Sequence, residues 1–410
     1  MAGNVGDLSF ANGVVKIVGG AMVKQYEESR LLHNRFNRGT GKKIGDRGTE
    51  LPTHVAPNAN HTWMTDGGEF PVGGSNLVKR AQVFFKNFGG AVRLTGAAMD
   101  SINSGDVAYI KDWKQFNLKE SLGQIFKMGN VYAQGDGSGR LATISSGASS
   151  ATQTVNNDDA GRYLRAGLKI DSVTPATGVV TATGGTILNP KASATTFTTE
   201  ATFSTTVTGD YIVAKGAFNL AAMGLKGMID DTTNGPVVFQ GINRNDFPIY
   251  RSFKVAAGSV KLDVAHLRRA LSAGIHIAAG ELNRDVLEIW THPAQTTAYS
   301  ELGWHLRRFD GKTKSLDFGF TVYDYEGVNW VEDVDHDKAR VDFINFDTVE
   351  KYMAKEFGWD EKTGSIWRQV AGTSAYKDLY EAYLTARFNY GNTRPNMNAW
   401  IEGLALPVGF

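Results

Sequence analysis

Residues 101–139 read SINSGDVAYIKDWKQFNLKESLGQIFKMGNVYAQGDGSG, and the rest of the chain is organised around this stretch. Ser101, Ser104 and Asp106 are each suited to open a helix, because a short side-chain oxygen can accept from the free backbone N–H groups of the first turn. Val107, Ile110, Leu118, Leu122, Ile125 and Phe126 then recur at helical spacing, with Lys114 as one polar interruption. Such a helix is on the order of 40 Å long. It stops where Gly135, Gly137 and Gly139 follow Tyr132-Ala133-Gln134, since glycine readily takes the left-handed conformation that ends a helix.

Upstream, residues 1–60 read as an extended arm. One helix is expected from Val18 to Asn37, with Met22, Tyr26, Leu31 and Leu32 near one face, followed by the basic, glycine-rich Arg38 to Lys43. Pro52 and Pro57 make Leu51 to Thr62 irregular in this reading, because proline donates no ladder hydrogen bond. Residues 61–96 then read as a long β-hairpin. His61-Thr62-Trp63-Met64 opens it, Gly67, Gly68, Pro71, Gly73 and Gly74 supply turn chemistry, and Leu77 to Leu94 returns. The returning arm mixes Phe84, Phe85 and Phe88 with Lys79, Arg80, Lys86 and Arg93. A projecting β-arm of that composition calls for a partner surface.

Downstream, residues 141–215 lose charge and gain Thr and Ser. Short β patterns at Leu168 to Val173, Gly178 to Ala182 and Gly209 to Val213, the first two separated by the turn Pro175-Ala176-Thr177-Gly178, indicate a small inserted β-barrel or sandwich. Residues 216–410 return to mixed α and β character. Helices are expected from Asp263 to Ala279 and from Ala294 to about Arg307. A buried strand is expected at Asp285 to Thr291, with further strands at Phe318–Val322, Val328–Val331 and Arg340–Asn345.

Composition narrows the function. The 410 residues carry 43 Lys+Arg against 42 Asp+Glu, which argues against a strongly basic nucleic-acid wrapper. The absence of cysteine excludes disulfides, thiolate metal sites and cysteine nucleophiles. Met1 to Gly20 has no basic segment followed by a long apolar run, so no signal peptide is expected, and no apolar stretch is long enough for a membrane-spanning helix. Gly39-Thr40-Gly41-Lys42 fails as a phosphate loop, because Phe36 stands where the first glycine belongs and Lys43 where Ser or Thr belongs. Gly135 to Gly139 follows a helix, whereas a dinucleotide loop follows a strand. Asp333, Asp335 and Asp337 have the alternate spacing of a calcium loop, but Lys338 and Ile344 occupy its glycine and glutamate positions, so a solvated acidic turn is expected. None of the 8 histidines forms a His-Glu-x-x-His pair, and no Gly-x-Ser-x-Gly elbow occurs. No catalytic residue, cofactor or metal site is expected.

The order of these parts resembles the major capsid protein of tailed double-stranded-DNA bacteriophages. Tyr132 to Gly139 is similar to the Gly-Asp-Gly-Thr-Gly string of that family, and Met223-Gly224-Leu225-Lys226-Gly227-Met228-Ile229-Asp230-Asp231 to its Gly-Leu-x-Gly-Ile-Val-Asp-Asp segment. Phe247-Pro248-Ile249-Tyr250-Arg251-Ser252 is similar to an aromatic-Pro-aliphatic-aromatic-Arg stretch that follows. The resemblance spans nearly the whole chain. It implies an α+β capsid fold: arm 1–60, extended loop 61–96, spine helix 97–140, peripheral segment 216–254, axial domain 255–375 and a returning segment 376–410, with 141–215 as an inserted domain. It implies a subunit that assembles with copies of itself into hexamers and pentamers of a virion shell. The shell would enclose DNA without reading its sequence, beside separate scaffolding, portal and decoration proteins. The flap (Trp63, Lys79, Arg80, Phe84, Phe85, Lys86, Phe88, Arg93) would then lie across one neighbour, and the arm around Tyr26, Arg30 and Arg35 would clasp another. Some relatives join a flap lysine to a neighbour's asparagine, for which Lys79 or Lys86 with Asn396 or Asn398 are the candidates here, although simple surface lysines are the favoured reading. Two other readings are a cellular nanocompartment shell of the same fold and a β-rich carbohydrate-active enzyme with paired carboxylates in a cleft.

Overall fold

The computed structural model describes residues 31–45, 47–96, 123, 125–146, 149–156, 163–190, 195–200, 203, 206–278, 284–304, 314–315, 321–361, 365–373 and 376–407. These fall into two compact units, the smaller drawn from 86–130 and 353–388 and the larger from 31–85, 131–352 and 389–407. Most of the expected arm, with Tyr26 and Arg30, and the first two thirds of the expected long helix lie outside the described residues. Residues 125–134 are helical, as the spacing requires.

In the smaller unit, Lys86–Thr95 runs antiparallel to the long strand Tyr376–Asn392, with Phe388 opposite Lys86 and Leu379 opposite Thr95. Trp367–Ala371 flanks the same strand, with Trp367 opposite Ala382. Phe357 collects the aromatic side chains of this unit. Phe126 lies 5.0 Å from it, Phe388 5.3 Å and Phe88 6.0 Å, in edge-on and tilted geometries that aromatic rings favour. Ile125 lies so close over Lys86–Thr95 that a Cβ at Gly90 would come within 2.3 Å of it, which is why a glycine stands in mid-strand.

In the larger unit, six strands from Arg140–Ser146 to Tyr211–Ala214 close into a barrel. Its alternating burial matches the period-2 pattern of Val and Ile among Thr. Two buried carboxylates use up the hydroxyls. Asp210 accepts from Thr181 (2.8 Å), Thr174 (3.0 Å) and Ser172 (3.2 Å), while Asp171 accepts from Thr183 (2.8 Å) and the amides of Gly184 and Gly216. These two carboxylates thus pair five of the polar groups that the Thr- and Ser-rich strands and their turns bring to the barrel, besides the Gly216 amide.

A seven-stranded sheet runs in the order Phe253–Ala256, Ala399–Glu402, Arg340–Asn345, Leu287–Thr291, Val328–Glu332, Thr321–Tyr325, Lys314–Ser315. Leu287–Thr291 and Arg340–Asn345 are buried at every position, as befits central strands covered on both faces. The helix Val264–Ala278 packs Leu267, Ala270 and Leu271 into this core, and Tyr299 of the helix Pro293–Trp304 stacks on Trp330 at 4.5 Å. The expected span of 255–375 for this region needs correction. The sheet recruits Ala399–Glu402 from the end of the chain, whereas Val349–Trp359 and Trp367–Ala371 belong to the sheet of Tyr376–Asn392.

The three quoted motifs meet in space. Gly137 and Gly139 take φ of 86° and 81°, which only glycine adopts without strain. A Cβ at Gly224 would stand 2.5 Å from the carbonyl oxygens of Tyr132 and Gly135, so the segment 223–231 crosses the helix end at contact distance. Asp230 then accepts from the amides of Thr232 (2.6 Å), Asn234 (3.0 Å) and Gly235 (3.0 Å) and faces Arg244 at 3.7 Å, with both side chains fully buried. Arg244 donates to the Gly227 and Met228 carbonyls, each at 3.1 Å, and lies 4.3 Å over Phe239. Arg251 donates to the Arg244 carbonyl (2.7 Å) and Ser252 to the Asp230 carbonyl (3.1 Å), which docks the third motif on the second. Burial lowers the Arg244 pKa to about 10, against the opposing pull of Asp230.

The hairpin also differs from its expected bounds. It starts at Gly48, not near His61: Gly48–Ala56 pairs with Leu77–Phe84, and Lys42–Ile44 adds a third strand. Pro52 sits inside a strand because Lys42–Ile44 reaches only as far as Glu50. Beyond it that strand is an edge, where a proline breaks no rung.

Candidate assembly surfaces

The hairpin stem ends at the pair Ala56 and Leu77. Beyond it, residues 57–76 form no strand and every one is exposed. Asparagine amides replace the missing rungs. The Asn58 amide donates to Asn76 Oδ1 (2.7 Å), Asn58 Nδ2 to the Gly74 carbonyl (3.2 Å), and Asn60 Nδ2 to the Val72 carbonyl (3.0 Å). On this frame Trp63 is 101% exposed, Phe70 84% and Val72 83%. Side chains this large and apolar, exposed together at the tip, make it the candidate interaction surface of the hairpin.

On the stem, Lys79 and Arg80 are exposed. Lys79 Nζ lies 5.7 Å over the Phe247 ring, and Arg80 is 3.9 Å from Glu50. Phe84 is half exposed, and the Phe85 amide donates to the Arg47 carbonyl at 2.9 Å. At residue 86 the chain leaves the hairpin and enters the other sheet, so the returning arm is two strands rather than one. Lys86, Phe88 and Arg93 thus lie outside the flap. Phe88 packs on Phe357 and Phe388 of its own chain, and Arg93 donates to Glu381 at 2.6 Å. Arg35 is also engaged internally: Nε donates to Glu288 at 2.8 Å, and the guanidinium lies 4.5 Å over Phe346. Asn398 is buried, with its amide bonded to Thr348 and Arg394, while Asn396 lines an open groove.

That groove, of about 730 Å³, runs between Leu51 to His54, Ile249 and Tyr250, and Thr393 to Met397. Among the described residues, Asp347 is the one carboxylate lining it. Glycoside hydrolysis needs two facing carboxyl groups, so this groove does not supply that chemistry. The expectation of a solvated turn at Asp333 to Asp337 is overturned, because Asp333 and Asp335 are buried. Asp333 accepts from Gln134 (2.7 Å) and from the Asp335 amide (2.9 Å), and Asp337 pairs with Lys226 at 2.5 Å. Burial and the neighbouring Asp335 push the Asp333 carboxyl up. For Asp337, burial is outweighed by Lys226, which holds it below the usual range. Among the described residues no group of three or more His, Asp or Glu side chains is placed to hold a metal ion.

No protein-family model matches the sequence, and no curated protein matches it either. Solved structures do. The capsid protein in the asymmetric unit of cyanophage A-1(L) superposes with a TM-score of 0.55 at 14% identity, covering 94% of each chain. The chain shares the fold of that cyanophage capsid protein. A capsid protein of a native GTA particle also aligns, over 95% of this chain and 97% of its own, at 8% identity and a TM-score of 0.46.

Sequence reading missed the apolar pair Phe70 and Val72 and the asparagine frame that presents them. The available signal was Asn58, Asn60 and Asn76 bracketing a stretch without Lys or Arg.

Proposed function

We propose that this chain is a structural, non-enzymatic coat subunit that assembles with copies of itself, as hexamers and pentamers, into an icosahedral shell around phage DNA. The exposed tip carries the reading: on a capsid fold, Trp63, Phe70 and Val72 stand in solvent on an ordered frame. Burying an aromatic side chain covers about 150–250 Å². At about 25 cal/mol per Å², this is a gross gain of at most roughly 4–6 kcal/mol for each ring, from which the ordering and association costs are subtracted. Each subunit donates one tip and receives another, so modest contacts multiply around a closed shell. Lys79 and Arg80 on the stem would meet carboxylates of the receiving copy. The near-balanced charge of the chain, 43 against 42, lets like subunits approach without strong repulsion.

The test is expression of the chain alone and together with a neighbouring scaffold candidate, followed by sedimentation and electron microscopy. Closed shells or rings of five and six are expected, and removal of residues 57–76 should leave folded subunits that do not close. Monomers under both conditions would defeat the reading. A cellular shell of the same fold would also close, and nucleic-acid content separates the two.

A further inference from the structure

Beside the buried Asp230 sits a second constellation that the shell reading does not use. Lys254, on the edge strand Phe253–Ala256, places Nζ 2.8 Å from Glu402 Oε2. The other oxygen of the same carboxylate, Oε1, accepts from Asn234 Nδ2 at 2.8 Å. One carboxylate therefore bridges an amine and a carboxamide. Thr233 Oγ1, one residue from that asparagine, holds Lys254 Nζ at 2.9 Å. The ring of Trp400 covers the amine at 4.9 Å, and a second cation, Arg340, lies 4.2 Å over the same ring. The Lys254 and Glu402 side chains are only 24% and 30% exposed. The asparagine is held too, its backbone amide donating to Asp230 Oδ1 at 3.0 Å.

We propose that Lys254 and Asn234 form an intramolecular isopeptide bond, with Glu402 as the proton carrier. Glu402 takes a proton from the Lys254 ammonium, and the free amine attacks Asn234 Cγ. The Cγ–Nδ2 bond breaks as Glu402 returns the proton to the departing nitrogen. The Nζ–Cγ bond replaces it, the second Nζ proton passes to the departing ammonia, which leaves as ammonium, and nothing is oxidised or reduced. No further reactant is needed. Positioning supplies the driving term, because a held nucleophile and acceptor react as one molecule. The bond would tie the loop that carries Asp230 to the edge of the seven-stranded sheet.

The inference stands apart from the shell reading, because a monomer tests it equally well. The full chain is purified, held at alkaline pH where lysine loses its proton more readily, and followed by intact-mass spectrometry and peptide mapping. The expected product is lighter by one ammonia, with the peptide containing Asn234 joined to the peptide containing Lys254. Its fraction should rise with time and pH. Lys254→Arg and Glu402→Gln should each keep the full mass. Retention of the full mass by the unmodified sequence after prolonged incubation overturns the proposal without any variant. So does an ammonia loss that survives Lys254→Arg, since Asn234-Gly235 would then be closing on its own backbone instead.

Discussion

The flap tip and the Asp230–Arg244 nest use the same kinds of group to opposite ends. In the nest, an ion pair is sealed from water: Asp230 takes amides from the loop that follows it, Thr232 to Gly235, and Arg244 reaches back to the Gly227 and Met228 carbonyls. At the tip, asparagine side chains tie the two sides of an open loop together, Asn58 to Gly74 and Asn76 and Asn60 to Val72, and the apolar side chains are exposed. Polar groups buried against one another specify one conformation of the chain. Polar groups at the exposed tip shape a surface that stays open to solvent within the single chain.

The contrast is broken most directly by Asp230→Ala. It leaves Arg244 buried without its counter-charge, and a loss of about 3–5 kcal/mol is expected in urea unfolding of the isolated chain. Trp63→Ala should do the reverse, leaving subunit stability within about 0.5 kcal/mol while lowering the yield of closed particles in sedimentation. A smaller effect separates two glycines. Gly224→Ala meets backbone oxygens at 2.5 Å and should cost about 1–3 kcal/mol, whereas Gly73→Ala meets nothing within 4 Å and should leave thermal unfolding unchanged.

Acid should weaken the larger unit in a defined direction. Burial pushes Asp342 up, but the Arg340 charge and the His336 hydrogen bond outweigh it and hold the carboxyl below its usual range. Asp337 is lowered in the same sense by Lys226. A lowered folded-state pKa gives stability that is present above the ordinary aspartate value of about 3.9 and lost as pH falls through the folded value. Asp333, which is raised, acts oppositely and softens the first part of the fall. Urea midpoints measured across pH 3 to 6, an interval of about three units around that ordinary value, should therefore drop mainly below about pH 4. A midpoint that stays flat there would mean these carboxylates do not couple to folding. The smallest expected effect is Asn60→Ala, which should speed amide exchange within 57–76 and leave the melting temperature in place.

How far these regions could be foreseen depended on whether the signal was local. Three of the six barrel strands were legible, those near Leu168 to Val173, Gly178 to Ala182 and Gly209 to Val213, because Val and Ile recur between turns such as Pro175 to Gly178. Leu287–Thr291 was legible from Val286, Leu287, Ile289 and Trp290, although Glu288 interrupts them. The start of the hairpin was not, because Pro52 is a strand breaker unless its strand is known to be an edge at that point. Phe88 was misplaced for a related reason. An alternating strand looks the same whether it faces a neighbour or its own core, and the change of sheet at residue 86 has no turn residues to mark it. The nest was hidden altogether: Asp230 and Arg244 are fourteen positions apart, and nothing local says that both will be dry.

The barrel has one further property. Its first strand, Arg140–Ser146, and its last, Tyr211–Ala214, are direct neighbours, with Arg140 opposite Val213. The chain enters and leaves the module at one point, so everything between is a detour that the surrounding fold does not need in order to close. Residues 141–212 could then be exchanged for a short turn or for an unrelated domain whose ends lie equally close. Such a graft would make the subunit a carrier, bearing one foreign module per copy.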